Sequence, residues 1–113
     1  MTRAIVVGGG VAGPVAAMAL QRAGMSIGDI DLVEINEAFA AQVIPSYRDL
    51  GIPIDKLNPF GGAIAVGHPF GSTGARITGT LINGLQTLDK QWGVETMCVG
   101  GGMGMAMVLE LLS

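Results

Sequence analysis

The chain has 113 residues, half of them hydrophobic, with only 13% charged and a formal net charge of −3. That length carries one small domain with a real core. The acidic balance excludes the basic footprint of a nucleic-acid binder. One cysteine excludes an internal disulfide, and one cysteine with one histidine argues against a metal site; no apolar run reaches the length of a membrane span. A soluble domain usually carries about a quarter charged residues, so part of this surface is expected to lie against something else.

Ala4 to Val7 is a short apolar run that reads as a strand. Gly8, Gly10 and Gly13 follow, and Pro14 to Ala23 reads as a helix stopped by Gly24. Glu34 lies about twenty residues past the last of these glycines, at the end of the next strand. This is the spacing of a dinucleotide-binding fingerprint, in which amides at a helix start face a pyrophosphate. Residues 1 to 24 taken alone resemble the start of a flavin-dependent monooxygenase. Gly8, Gly10, Gly13 and Glu34 are therefore candidate FAD- or NAD-binding residues, and the alternative is that the glycines only turn a strand into a helix. Met1 to Leu20 also has a faint signal-peptide pattern, which the three consecutive glycines oppose. Cytoplasm is the expected compartment.

Ile30 to Ile35 is mostly apolar and is expected to be a central strand of a parallel sheet. Asn36 then reads as the N-cap of a helix from Glu37 to Leu50. Glu37 is placed to meet that helix's dipole, and Pro45 is expected to kink or break it. The glycine-rich stretch Asn58 to Arg76 follows, with a predicted strand from Gly62 to Val66 and then His68, the only histidine. Ser72 and Thr73 are good caps for a helix running to about Leu88. Ile77, Leu81, Leu85 and Leu88 form its apolar stripe, and Thr78, Gly79, Asn83 and Gly84 its opposite face. Arg76 is the only charge from Leu57 to Leu88. A helix with so little charge is expected to be buried, between two sheets or two domains. Val94 to Val99 reads as a strand, Gly100 to Gly102 as a turn, and Gly104 to Leu111 as a last antiparallel strand. The predicted order is βαβαβαββ, an α/β domain covering residues 1–113 with no internal linker.

Three side chains carry candidate chemistry. His68, held in a glycine-rich loop before a helix start, can exchange a proton near neutral pH or donate to a developing oxyanion. Read alone, it could equally be a satisfied structural histidine. Cys98 ends a strand against three glycines, where a thiolate can act as a base; alone, it could be a small buried hydrophobe. Asn36 could be only a helix cap. Met103, Met105 and Met107 alternate along the last strand and read as core.

The stretch GGAIAVGHPFGSTGAR resembles the histidine loop of the thiolases, the 3-ketoacyl-CoA acyltransferases. Val33 to Ala40 resembles their NEAF motif, in the form found in classical thiolases, and Cys98 to Gly104 their C-terminal cysteine motif. The resemblance runs from about Met25 to Ser113, while residues 1 to 24 are of uncertain origin. It implies a thiolase C-terminal domain, a mixed sheet with helices on both faces. It also implies acyl transfer: 3-ketoacyl-CoA plus CoA to acyl-CoA plus acetyl-CoA, or the reverse condensation, in fatty acid metabolism. Coenzyme A would then be a substrate, with no resident cofactor. The resemblance gives His68 the role of activating a nucleophilic cysteine and holding the thioester oxygen. It makes Cys98 the acid/base, Asn36 the holder of a water in one oxyanion hole, and the Gly100 amide a donor in the other. The nucleophilic cysteine of thiolases belongs to a homologous N-terminal half, so the isolated chain is expected to be catalytically incomplete. Its expected partner is such a half, or a homo-oligomer. Phe60, Met103 and Pro45 depart from the family pattern, which bears on pocket shape.

Overall fold

The computed structural model describes residues 2–8 and 12–112, with side chains from residue 12 onward. Four strands form one sheet in the order β1-β4-β3-β2: β1 (Thr2–Gly8), β2 (Leu32–Ile35), β3 (Trp92–Gly100) and β4 (Met103–Leu111). β4 runs antiparallel to both β1 and β3, while β3 and β2 are parallel. The sheet is mixed and carries helices on both faces. Helix α1 (Ala12–Ala23) packs on one face together with α2 (Ala40–Asp49), and α4 (Thr73–Thr87) packs on the other.

Alternation along the strands sets the two faces. Val33, Ile35, Val94, Ala106 and Val108 turn toward α1, where Val15, Ala16, Ala19 and Leu20 supply the helical stripe. Leu32, Leu109 and Met107 turn the other way, onto Leu81 and Leu85 of α4. Gly24, at φ +69°, ends α1, and the Met25 amide returns to the Leu20 carbonyl at 2.9 Å. Gly13 has a packing reason: a Cβ there would come within 2.9 Å of the Ser46 hydroxyl on α2.

Several sequence expectations are corrected. The predicted strand from Gly62 to Val66 is a one-turn helix, α3 (Ala63–Val66), so the third of the five strands in βαβαβαββ is not formed. A four-residue apolar run between glycines does not distinguish strand from helix by periodicity. Here the Glu37 carboxylate accepts the Ile64 amide at 2.9 Å and favours the helical turn. β2 is an edge strand, not a central one. It is fully buried because the following segment covers its open side: Leu57 bridges Val33, and the Asn58 amide reaches the Val33 carbonyl at 2.8 Å. Helix α2 begins at Ala40, three residues later than expected, and continues through Pro45 without a break. Within this chain the sheet covers one side of helix α4. Ile77, Leu81 and Leu85 are buried as predicted, Leu88 is exposed, and Gly84 belongs to the buried face, against Phe60 and Leu32.

Candidate active site

The loop, the end of β3 and the segment after β2 meet around one cleft of about 550 Å³. Its walls include His68, Thr73, Cys98, Gly100, Phe39 and Met97. Each side chain arrives there for a local reason. Gly67, at φ +94°, closes α3 and turns the chain into His68. Thr73 is the first residue of α4. A β-bulge between Cys98 and Gly100 breaks the ladder with β4, as bulges near functional sites often do. Gly100, Gly101 and Gly102 then take φ values of +89°, +60° and +75°, a run that residues with a Cβ resist. Cys98 is half-buried and carries a free thiol.

The hydrogen bonds around His68 define which ring nitrogen carries its proton. Thr73 Oγ1 donates its single proton to the Pro69 carbonyl at 2.9 Å. The same oxygen lies 2.7 Å from His68 Nδ1, so Nδ1–H must donate to it. Nε2 is then the bare nitrogen, free to accept a proton. The Phe70 ring meets the imidazole edge-on, with centroids 5.0 Å apart.

Asn36 does not cap α2, a further correction to the sequence reading; Phe39 holds that position. Asn36 is buried, and its side chain turns away from the helix toward His68. Its Nδ2 lies 3.4 Å from each imidazole nitrogen, and its Oδ1 accepts from Arg76 Nη2 at 3.2 Å. Glu37 likewise does not serve the dipole of α2. Its carboxylate accepts from Ile64 N–H and, at 3.1 Å, from Asn58 Nδ2, and so fixes the loop that leads to His68. Asn58, at φ +46°, completes this brace. Its amide group pairs with both the N–H and the carbonyl of Ile35, each at 2.9 Å. The sequence reading gave neither Asn58 nor Thr73 a site role. It noted Arg76 only as an isolated charge, and that isolation was the one signal for it.

Beneath the site, three charged side chains are inside the protein. Glu34 and Glu95 are register partners on β2 and β3, only 1% and 4% exposed. Burial pushes both carboxyls up to about 7. Arg76 pulls Glu34 back down in part, while Glu95 and Glu37 push it further up. For Glu95 the hydrogen bond from Thr78, at 2.9 Å, opposes burial. One oxygen of each carboxyl, and Nε and Nη1 of Arg76, have no hydrogen-bond partner among the described residues.

The candidate dinucleotide residues are not brought together. Gly8 ends β1 at one edge of the sheet, and Glu34 lies in β2 at the other, with β4 and β3 between them. A dinucleotide fingerprint needs those two strands to be neighbours. Glu34 is also buried and Gly13 lies within α1, while Gly10 lies outside the described residues. Phe60 packs against Gly84 of α4 and is not part of the cleft wall. Met103 is half-exposed at the hairpin and not core, whereas Met107 packs into the core on the α4 side. Among the described residues no helix is long and apolar enough to cross a membrane.

The mixed four-stranded sheet thus sets a histidine loop against a bulged cysteine strand across one cleft. Residues 7–111 match the thiolase C-terminal domain family, and the chain belongs to it. It is 53% identical over 103 residues to acetyl-CoA acetyltransferase of Escherichia coli (strain K12), covering 89% of this chain and 26% of that protein. It is 57% identical over 103 residues to 3-ketoacyl-CoA thiolase of Pectobacterium carotovorum subsp. carotovorum (strain PC1), covering 87% and 27%. The chain thus spans about a quarter of the length of these relatives. Two solved structures are similar at 37% identity over 99% of this chain and 31% of theirs. They are the Bacillus anthracis acetyl-CoA acetyltransferase, with a TM-score of 0.93, and human mitochondrial 3-ketoacyl-CoA thiolase in complex with CoA, with a TM-score of 0.89. The family match begins at residue 7, so Gly8, Gly10 and Gly13 fall inside it, and the flavoprotein reading is not favoured.

Proposed function

We propose that this chain supplies the histidine and acid/base cysteine of a thiolase-type acyltransferase acting on CoA thioesters. The observation that carries the reading is the common cleft of His68, Cys98 and Gly100, with Asn36 behind the imidazole. In the cleavage direction, the bare Nε2 of His68 takes the proton of a nucleophilic thiol. That thiolate attacks the keto carbon of a 3-ketoacyl-CoA, and the bond between the keto carbon and the α-carbon breaks. The electron pair goes to the α-carbon, which takes the Cys98 proton and leaves as acetyl-CoA. The Cys98 thiolate then accepts the proton of an incoming CoA thiol. The CoA sulfur displaces the acyl group from the nucleophile, and that thiol takes its proton back from His68. Oxygen charge developing on the substrate is met by the His68 and Asn36 side on one hand and the Gly100 amide on the other.

Cys98 cannot be both nucleophile and acid/base in this scheme, and it is the only cysteine in the sequence. The nucleophile therefore comes from a thiolase N-terminal-type half or from another subunit. Apolar side chains exposed at and near the cleft support such a partner: Phe39, Ile64, Val66, Phe70 and Val99. The test is CoA-dependent cleavage of acetoacetyl-CoA by the purified chain, with and without a thiolase N-terminal-type half. Activity is expected only with the half, and Cys98→Ala is expected to lower it by about 10²- to 10⁴-fold. Equal turnover by Cys98→Ala and the parent would refute the assignment.

A further inference from the structure

We infer that Thr73 is a positioning residue for His68. Its hydroxyl holds the imidazole in one orientation with Nδ1 always protonated, so that Nε2 alone takes and returns a proton. The catalytic meaning of this role rests on the acyl-transfer reading above, but the geometry does not.

Thr73 Oγ1 has one proton and two close neighbours, the Pro69 carbonyl at 2.9 Å and His68 Nδ1 at 2.7 Å. A carbonyl oxygen only accepts, whereas a ring nitrogen of neutral histidine either accepts or donates. If the hydroxyl proton goes to Pro69, Nδ1–H donates to Oγ1, and both contacts are hydrogen bonds. If it goes to Nδ1, two bare oxygens face each other at 2.9 Å and one bond is lost. The first arrangement is favoured, and it places the ring proton at Nδ1. The Asn36 amide, 3.4 Å from each ring nitrogen, favours neither. The discrimination therefore rests on Thr73.

The parts of this support are local and stiff. Pro69 follows His68 directly, and its ring fixes its φ. The Pro69 carbonyl is held from a second side by the Ser72 N–H at 2.9 Å. Thr73 opens α4 and is 1% exposed, and its branched side chain has few rotamers. The bonds run from the ring to the hydroxyl to a neutral carbonyl, which takes no proton, so none passes along them. When Nε2 takes a proton, Nδ1–H still donates to Oγ1 and the hydroxyl still donates to Pro69. When Nε2 gives the proton up, the ring is already in its starting form. A support of this kind needs no reorganisation between the two steps.

His68 is the only histidine, so its two ring nitrogens give unambiguous signals in a ¹⁵N NMR spectrum. Spectra recorded well above the ordinary histidine titration range report the neutral tautomer ratio. The parent chain is expected to be mainly Nδ1–H. Thr73→Val keeps the shape of the side chain and removes the acceptor, and it is expected to lower the ratio of Nδ1–H to Nε2–H severalfold. Thr73→Ser keeps a hydroxyl and should hold the ratio close to the parent's. A role in packing alone would not separate valine from serine in this way. Thr73→Ala takes the place of Thr73→Val if the latter does not fold. A parent ring mainly in the Nε2–H form would overturn the inference without any variant. So would an unchanged ratio in Thr73→Val, or a serine variant shifted as far as valine. With a thiolase N-terminal-type half added, Thr73→Val should lower kcat severalfold and leave KM near the parent's; an unchanged kcat would overturn the catalytic meaning of the role. The NMR outcomes do not depend on whether the chain turns over acetoacetyl-CoA.

Discussion

The two faces of the sheet are made from the same strands, yet they bury different things. Under α1 and α2 the contacts are mainly aliphatic, from Val15 and Ala19 to Ile35, Val94 and Val108. Under α4 the apolar cluster is smaller, built on Leu32, Leu81, Leu85 and Leu109, and two carboxyls and a guanidinium share the space. Burying charge costs free energy that burying a methyl group does not. The cost is borne on the face whose helix starts beside His68, where Arg76 can reach Asn36. The difference teaches that one face supplies stability and the other places charged groups behind a reactive histidine.

The largest effect expected from probing this contrast is on the α1 face. Ile35→Ala removes a fully buried side chain and should cost about 3–4 kcal/mol, while Leu81→Ala in the smaller cluster should cost about 2–3 kcal/mol. Urea midpoints measure both, and a larger loss for Leu81 would reverse the ranking of the two faces.

A smaller effect, with a definite sign, comes from the buried carboxyls. Both are pushed from an ordinary 4.5 to about 7 in the folded protein. Between those values the folded state binds more protons than the unfolded chain. Stability from this source is therefore greatest below about 4.5 and is lost as the pH rises to about 7 and just beyond, by roughly 1 kcal/mol per pH unit for each carboxyl. Glu95→Gln removes one of the two and can still accept from Thr78. Its slope should be about half the parent's, and it should be the more stable protein at about pH 8. Parallel pH profiles for the two proteins would mean that Glu95 is not a source of the slope.

The smallest effect tests how tightly α4 is seated. A Cβ at Gly84 would lie 2.7 Å from the Phe60 ring and 3.1 Å from Leu32. Phe60 is 47% exposed and its ring has room to swing. Alanine also improves helix propensity by about 1 kcal/mol, so Gly84→Ala should cost no more than about 1 kcal/mol in thermal unfolding. A loss above about 3 kcal/mol would show Phe60 to be fixed, and the α4 face as tightly packed as the other.

By itself the sequence determined what local spacing can encode. The stripe of Ile77, Leu81 and Leu85 made a helix, the glycines at 100 to 102 made a turn between two antiparallel strands, and the order of the motifs carried the family. His68 and Cys98 were legible because their flanking residues are distinctive over short distances. What the tertiary structure alone decided depended on partners far along the chain. Asn36 looked like a cap because a cap is the local option for an asparagine before a helix; Arg76, 40 residues away, made it part of the site. Glu34 fitted a nucleotide fingerprint by spacing, and strand order put it at the far edge from Gly8. The run from Gly62 to Val66 is too short for periodicity to choose its form, and the Glu37 carboxylate chose it. In each case the local energies left two options close together, and one long-range hydrogen bond or one strand pairing, worth about 1 kcal/mol or a little more, was enough to select between them.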